Sequence, residues 1–148
     1  MHRALTIVII AMCLVTAACG RADTKSSNVS DVDYTVVDRA AIPEELAATI
    51  DARKESDFEI SACIDGYTYI VKGYGKQPTG GYSIRVDRLQ TNGTDMTMAS
   101  TLIGPSAGEA VNKLATYPYI VIKTEATDNN ILFLSLIHIS EPTRHLRI

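Results

Sequence analysis

The sequence has no tryptophan, two phenylalanines, three cysteines and three histidines in 148 residues. The histidines stand at positions 2, 138 and 145, so the body of the chain carries no imidazole. That excludes the Ser-His-Asp and Cys-His arrangements for nucleophilic catalysis, and zinc sites that rely on histidine. Cysteine is as sparse. Cys13 and Cys19 lie near the N-terminus, and Cys63 is then alone, with no disulfide partner in the body. In "FEISACIDGYTYIV" it is flanked by apolar residues and is expected to pack as a small buried hydrophobe. The carboxylates are scattered, with no pair in apolar surroundings that would raise a pKa for acid–base work. A calcium loop of the Asp-x-Asp-x-Asp-Gly type is also missing. No metal site, no cofactor and no enzyme activity are expected.

The N-terminus, "MHRALTIVIIAMCLVTAACG", has a positive charge at Arg3 and an apolar run from Ala4 to Val15. The run is short for a bilayer span. Small residues Thr16, Ala17 and Ala18 precede Cys19. The segment resembles a bacterial lipoprotein signal peptide with its lipobox. The resemblance implies a signal over residues 1–18, lipid chains on Cys19, and a domain held at the extracytoplasmic face of the cell membrane. Each buried methylene of such a chain contributes about 0.8 kcal/mol to membrane binding. Residues 19–33, beginning "CGRADTKSSNVSDVD", are polar and without apolar periodicity, and are expected to be a flexible tether.

At the other end, residues 134–144 read "LSLIHISEPTR". That string is similar to a translation of the transposase adapter used in sequencing libraries. Residues 134–148 are therefore expected to be a non-native tail, set aside from fold reasoning. Without the signal and the tail, 11 basic residues stand against 16 acidic ones, a net charge of about −5. A nucleic-acid-binding domain usually carries a basic face, so no nucleic-acid partner is expected.

Residues 34–133 are expected to form one β domain. "IPEELAATIDARK" predicts a helix over residues 42–54. Pro43 suits its first turn, Glu44 and Glu45 its positive end, and Ile42, Leu46 and Ile50 one apolar face. The period then changes to two. Phe58, Ile60, Ala62 and Ile64 alternate with polar neighbours, Asp65-Gly66 marks a turn, and "YTYIVKGY" follows as a second hairpin arm. "GYSIRVDRL" places Tyr82, Ile84, Val86 and Arg88 on one side. Asn92-Gly93 is a second hairpin signal, before "DMTMASTLI". A loop over "GPSAGEAVNKLAT" leads to the strand "YPYIVIKTEA" and a last short strand, "NNILF". The class is α+β, mainly β: a small antiparallel β-sandwich or twisted sheet of about six strands with one N-terminal helix.

"KGYGKQPTGGYSIRV", residues 72–86, packs four glycines and a proline between two strands. It is not a phosphate loop: Gly80 and Gly81 precede Tyr82 and Ser83 where Lys and Ser/Thr would stand. The dinucleotide fingerprint fails at Pro78. As a turn it makes sense, with Pro78 presetting φ and Gly80 and Gly81 permitting positive φ. It is read as a tight hairpin tip that makes contacts.

This run, followed by "LIGPSAGEAVNKLATYPYIVIK", resembles the C-terminal domain of the PrcB family of protease complex subunits. Pro78, Thr79, Gly80, Gly81, Tyr82, Pro105, Pro118 and Tyr119 carry the resemblance, which extends from Tyr67 to Lys123. It implies an accessory subunit of an envelope protease, with a secreted protease as protein partner. "QPTGGY" is also similar to the Asn-Pro-Thr-Thr-Gly-Tyr loop of chagasin-type cysteine-protease inhibitors, with Gln77 and Gly80 departing from it and Ile84 where a Trp is usual. That implies a protease inhibitor as the alternative. A module binding envelope glycans or peptides is a third reading, drawn from the many tyrosines. The candidate contact residues are Lys76, Pro78, Thr79, Gly80, Gly81, Tyr82 and Tyr119.

Overall fold

The computed structural model describes residues 28–138. The expected signal segment, Cys19 with its expected lipid, most of the expected tether, and the tail beyond residue 138 lie outside the described residues. In chain order the elements are β1 (Ser30–Asp31), β2 (Thr35–Val36), a 3-10 turn (Arg39–Ala41), α1 (Glu44–Arg53), β3 (Asp57–Ile64), β4 (Tyr67–Tyr74), β5 (Ser83–Thr91), β6 (Asp95–Ile103), β7 (Tyr119–Glu125) and β8 (Asn130–His138).

They form three layers. One sheet has the order β2-β7-β4-β3, the other β1-β5-β6-β8. Helix α1 lies on the outer face of the first sheet, where Leu46 and Ile50 pack with Phe58, Tyr69, Val71 and Val121. The opposite face of that sheet meets the second sheet, and Ile70 and Ile122 pack against Leu89, Met96 and Met98. The period of two on β4 and β7 thus serves two cores at once. Odd-numbered residues face the helix and even-numbered ones the second sheet.

The helix is as its spacing predicts, with Leu46 and Ile50 buried and Ile42 half-buried against the same core. The Asp65-Gly66 turn also forms, with φ of 50° and 78° at the two residues, joining Ile64 and Tyr67 as the last cross-strand pair. Four expectations need correction. Among the described residues there are eight strands, because β1 and β2, ahead of the helix, are two-residue pairings too short to produce periodicity. The β5-containing sheet is mixed, since β8 runs parallel to β6. On β5 a bulge between Val86 and Arg88 shifts the phase, so Leu89 is buried and Arg88 exposed. Cys63 is exposed, not buried. On β3, an edge strand, the even positions face the helix core and the odd ones, Cys63 among them, are exposed.

Ser30 and Asp31, at the end of the expected tether, pair with Thr91 and Gln90, and Val32 packs on the inter-sheet core. On β8, Ile131 and Phe133 pack on that core, whereas Leu134, Leu136 and Ile137 are exposed. The apolar alternation of the strand therefore stops contributing to the core where the adapter-like string begins.

Among the described residues one charged side chain is buried. Lys72, 2 % exposed, donates to Asp57 Oδ1 at 2.6 Å and Glu59 Oε1 at 3.0 Å. Burial alone would pull its pKa down; the two hydrogen bonds and the two negative charges outweigh it, and the net shift is upward. A raised lysine pKa contributes stability below the unfolded value of about 10.5, and that contribution is lost as pH rises through the folded value. Lys72→Met keeps the buried stem and removes only pairs whose carboxylates are well solvated. It is expected to cost about 1 kcal/mol or less at pH 7. Its denaturation midpoint is expected to fall less steeply than wild type above about pH 10.5, read from urea titrations of both proteins across that range.

Candidate functional site

The glycine-rich stretch is not a hairpin tip. It leaves β4, which pairs with β3 and β7, and enters β5, which pairs with β1 and β6. It is a crossover from one sheet to the other. A hairpin would be fixed by its own two arms; this crossover is fixed from outside. Lys76 N donates to Glu55 O at 3.2 Å just beyond α1. Gln77 N donates to Thr116 O at 2.8 Å, and Thr116 N returns a bond to Gln77 O at 3.0 Å. Gly80 N donates to Asn112 O at 2.8 Å, and Thr116 Oγ1 to Thr79 O at 2.7 Å. The long loop before β7 is thus the second rail of the turn.

The two glycines do different work. Gly81 has φ of 83°, and a Cβ there would lie 2.7 Å from Val111 Cγ1 and 3.0 Å from Pro105 Cβ. Gly80 has no positive φ; a Cβ would sit in ordinary contact, 3.6 Å from Asn112 Cβ. The reading that both glycines supply positive φ therefore holds for Gly81 alone.

Between this turn and the end of α1 lies a cleft of about 420 Å³. It is lined by Gly80, Gly81 and Tyr82 of the turn, by Thr116 to Tyr119, and by Arg39, Asp51 and Lys54. Arg39 lies over the Tyr119 ring, 4.9 Å from its centre, and Lys54 over Tyr117 at 5.6 Å. Lys54 also pairs with Asp51 at 3.0 Å, a hydrogen bond that raises its pKa, with the Asp51 charge second.

Of the residues singled out from sequence, Gly80, Gly81, Tyr82 and Tyr119 meet in this cleft. Pro118, from the same resemblance, joins them. Lys76 and Pro78 are exposed on the outer side of the turn and do not line it, nor does Thr79, whose hydroxyl donates to Gly80 O at 3.1 Å. Arg39, Asp51 and Lys54 were missed. They read as ordinary charges beside a helix, and only the packing of the 3-10 turn and α1 on the first sheet brings them to Tyr117 and Tyr119. Of the tyrosines on β4, Tyr69 and Tyr74 are buried on opposite faces of the sheet, and Tyr67, at the start of the strand on the same face as Tyr69, is exposed. The Tyr74 hydroxyl bonds to Ser100 Oγ at 2.9 Å across the two sheets.

Among the described residues no group of three or more His, Cys, Asp and Glu side chains is placed to hold a metal ion. What the cleft offers is aromatic surface, two cations held over rings, and bare backbone. Such a set is suited to contact with a ligand. Residues 68–125 match the family model described as PrcB C-terminal. No curated protein and no solved structure matches the chain.

Proposed function

We propose, from the premise that residues 68–125 are a PrcB C-terminal domain, that the chain is an accessory subunit of an envelope protease complex. In this reading lipid on Cys19 holds it at the extracytoplasmic face of the membrane. The surface around Gly80 to Tyr82 meets the protease. The family association with protease complexes supports the partner class. The observation that carries the contact site is the crossover turn. Its conformation is fixed on both sides by backbone bonds, yet it leaves Gly81 and Pro78 exposed. Pre-fixed surface loops bind without a large ordering cost, which is the usual reason to build one so rigidly.

The inhibitor reading fits the geometry less well. A wedge needs a free tip, and this turn is flanked along its length by residues 112–116. Affinity capture of the tagged full chain from its native membranes, after mild crosslinking, tests the proposal. Recovery of a protease whose activity or abundance falls when the chain is deleted is the expected result. Recovery of no protease, or loss of papain-type or subtilisin-type activity on adding the chain at micromolar concentration, would replace the accessory reading.

A further inference from the structure

Arg39 lines the cleft and is exposed, over the ring of Tyr119, and takes part in none of the ion pairs among the described residues. The neighbouring Lys54 is compensated by Asp51. The cleft therefore carries one unmatched positive charge on a domain that is acidic as a whole. A guanidinium resting on an aromatic ring keeps its N–H edge available, and that edge matches the two oxygens of a carboxylate. Gly80 and Gly81, which also line the cleft, present main chain with no side chain, which lets another backbone approach closely. The volume lies within the range of small-ligand pockets, about 300–1,000 Å³.

We propose that this cleft takes a carboxylate-bearing segment of an extended peptide. Arg39 binds the carboxylate, and Tyr82 and Tyr119 flank the adjoining residue. This rests on the accessory-subunit reading for the identity of the peptide's owner, but not for the chemistry of the cleft. The carboxylate belongs to a side chain or to a chain terminus, and the probes separate these two. Lys54, already paired, has a secondary part.

The test is a titration of the 15N-labelled full chain, followed by NMR, with three capped probes: Ac-Ala-Ala-Glu-Ala-NH2, Ac-Ala-Ala-Gln-Ala-NH2 and Ac-Ala-Ala-Ala-Ala-OH. Saturable shifts at Gly80, Gly81, Tyr117 and Tyr119 are expected with the first or the third probe, whichever supplies the right carboxylate. The glutamine probe should bind about tenfold more weakly. Arg39→Gln should weaken the responding probe about tenfold, and Arg39→Lys by less, because the point charge returns without the fork. The amides of Met98 and Leu102, in the core, serve as the check that each variant is folded. Equal binding of the glutamine probe, indifference to Arg39→Gln, displacement by millimolar inorganic phosphate, or no saturable shift in the cleft would each overturn the inference. If the protease is still captured from membranes while no probe binds, the cleft inference fails alone. If a probe binds and no protease is captured, the accessory reading fails alone.

Discussion

Gly73→Val is expected to cost about 3 kcal/mol, a fall in melting temperature of about 12 °C for a domain of this size. The reason is a single ring. Phe58 and Gly73 are cross-strand partners on the helix-facing side of β3 and β4. The phenyl ring, 7 % exposed, lies directly over the glycine, where a Cβ would overlap its carbons. A side chain at position 73 must push the ring out of the core beneath α1, which forfeits most of its burial and leaves the facing Leu46 and Ile50 poorly packed. The coupling is directly measurable. In Phe58→Ala the space is already empty, so adding Gly73→Val should cost at least about 1 kcal/mol less than it does in wild type. Thermal melts of the four proteins of that cycle decide it. Additive costs would mean that the ring does not rest on Gly73.

The second large effect is at the crossover. Gly81→Ala is expected to destabilise by about 2 kcal/mol, combining left-handed backbone strain with a Cβ driven into Val111 and Pro105. Gly80→Ala, one residue away, should stay within about 0.5 kcal/mol, since its Cβ finds ordinary contact and its φ is not positive. Adding Val111→Ala to Gly81→Ala should recover part of the loss, the part due to crowding; the strain of about 1 kcal/mol remains. Hydrogen exchange at residues 104–116 reads the same event locally, because that loop must shift to admit the new methyl group. Equal cost at positions 80 and 81 would contradict the turn geometry.

The helix and the β3–β4 hairpin are legible in the chain because each rests on a local pattern: a period near four at Ile42, Leu46 and Ile50, and a period of two broken by Asp65-Gly66. The division into two sheets is not legible. Nothing near residues 75–82 distinguishes a turn that reverses a strand within one sheet from one that carries it to another. That choice is made by residues 112–116, over thirty positions later, whose backbone bonds to Gln77 and Gly80. The bulge at Asp87 misled the face assignment of Arg88 for a similar reason: one inserted residue inverts every side chain after it. Met96 and Met98 alternate cleanly and Ser100 breaks the pattern, yet Ser100 is buried. Its partner, Tyr74, lies in the other sheet. Half of the cleft, the motif-bearing Gly80 to Tyr82 and Tyr119, is visible in the sequence. The half that carries charge, Arg39 and Lys54, is assembled only when α1 docks.

The central claim is that the surface beside Gly80 to Tyr82 meets a protease partner. It is tested most directly by placing a photoactivatable benzophenone side chain at position 82, and separately at position 92, in the full chain in the cells that produce it. Position 92 lies in the β5–β6 turn, at the opposite end of β5 from position 82, and is exposed. The account predicts a crosslinked product containing a protease polypeptide from position 82 and none from position 92. The same product from both positions, or from position 92 alone, would contradict it.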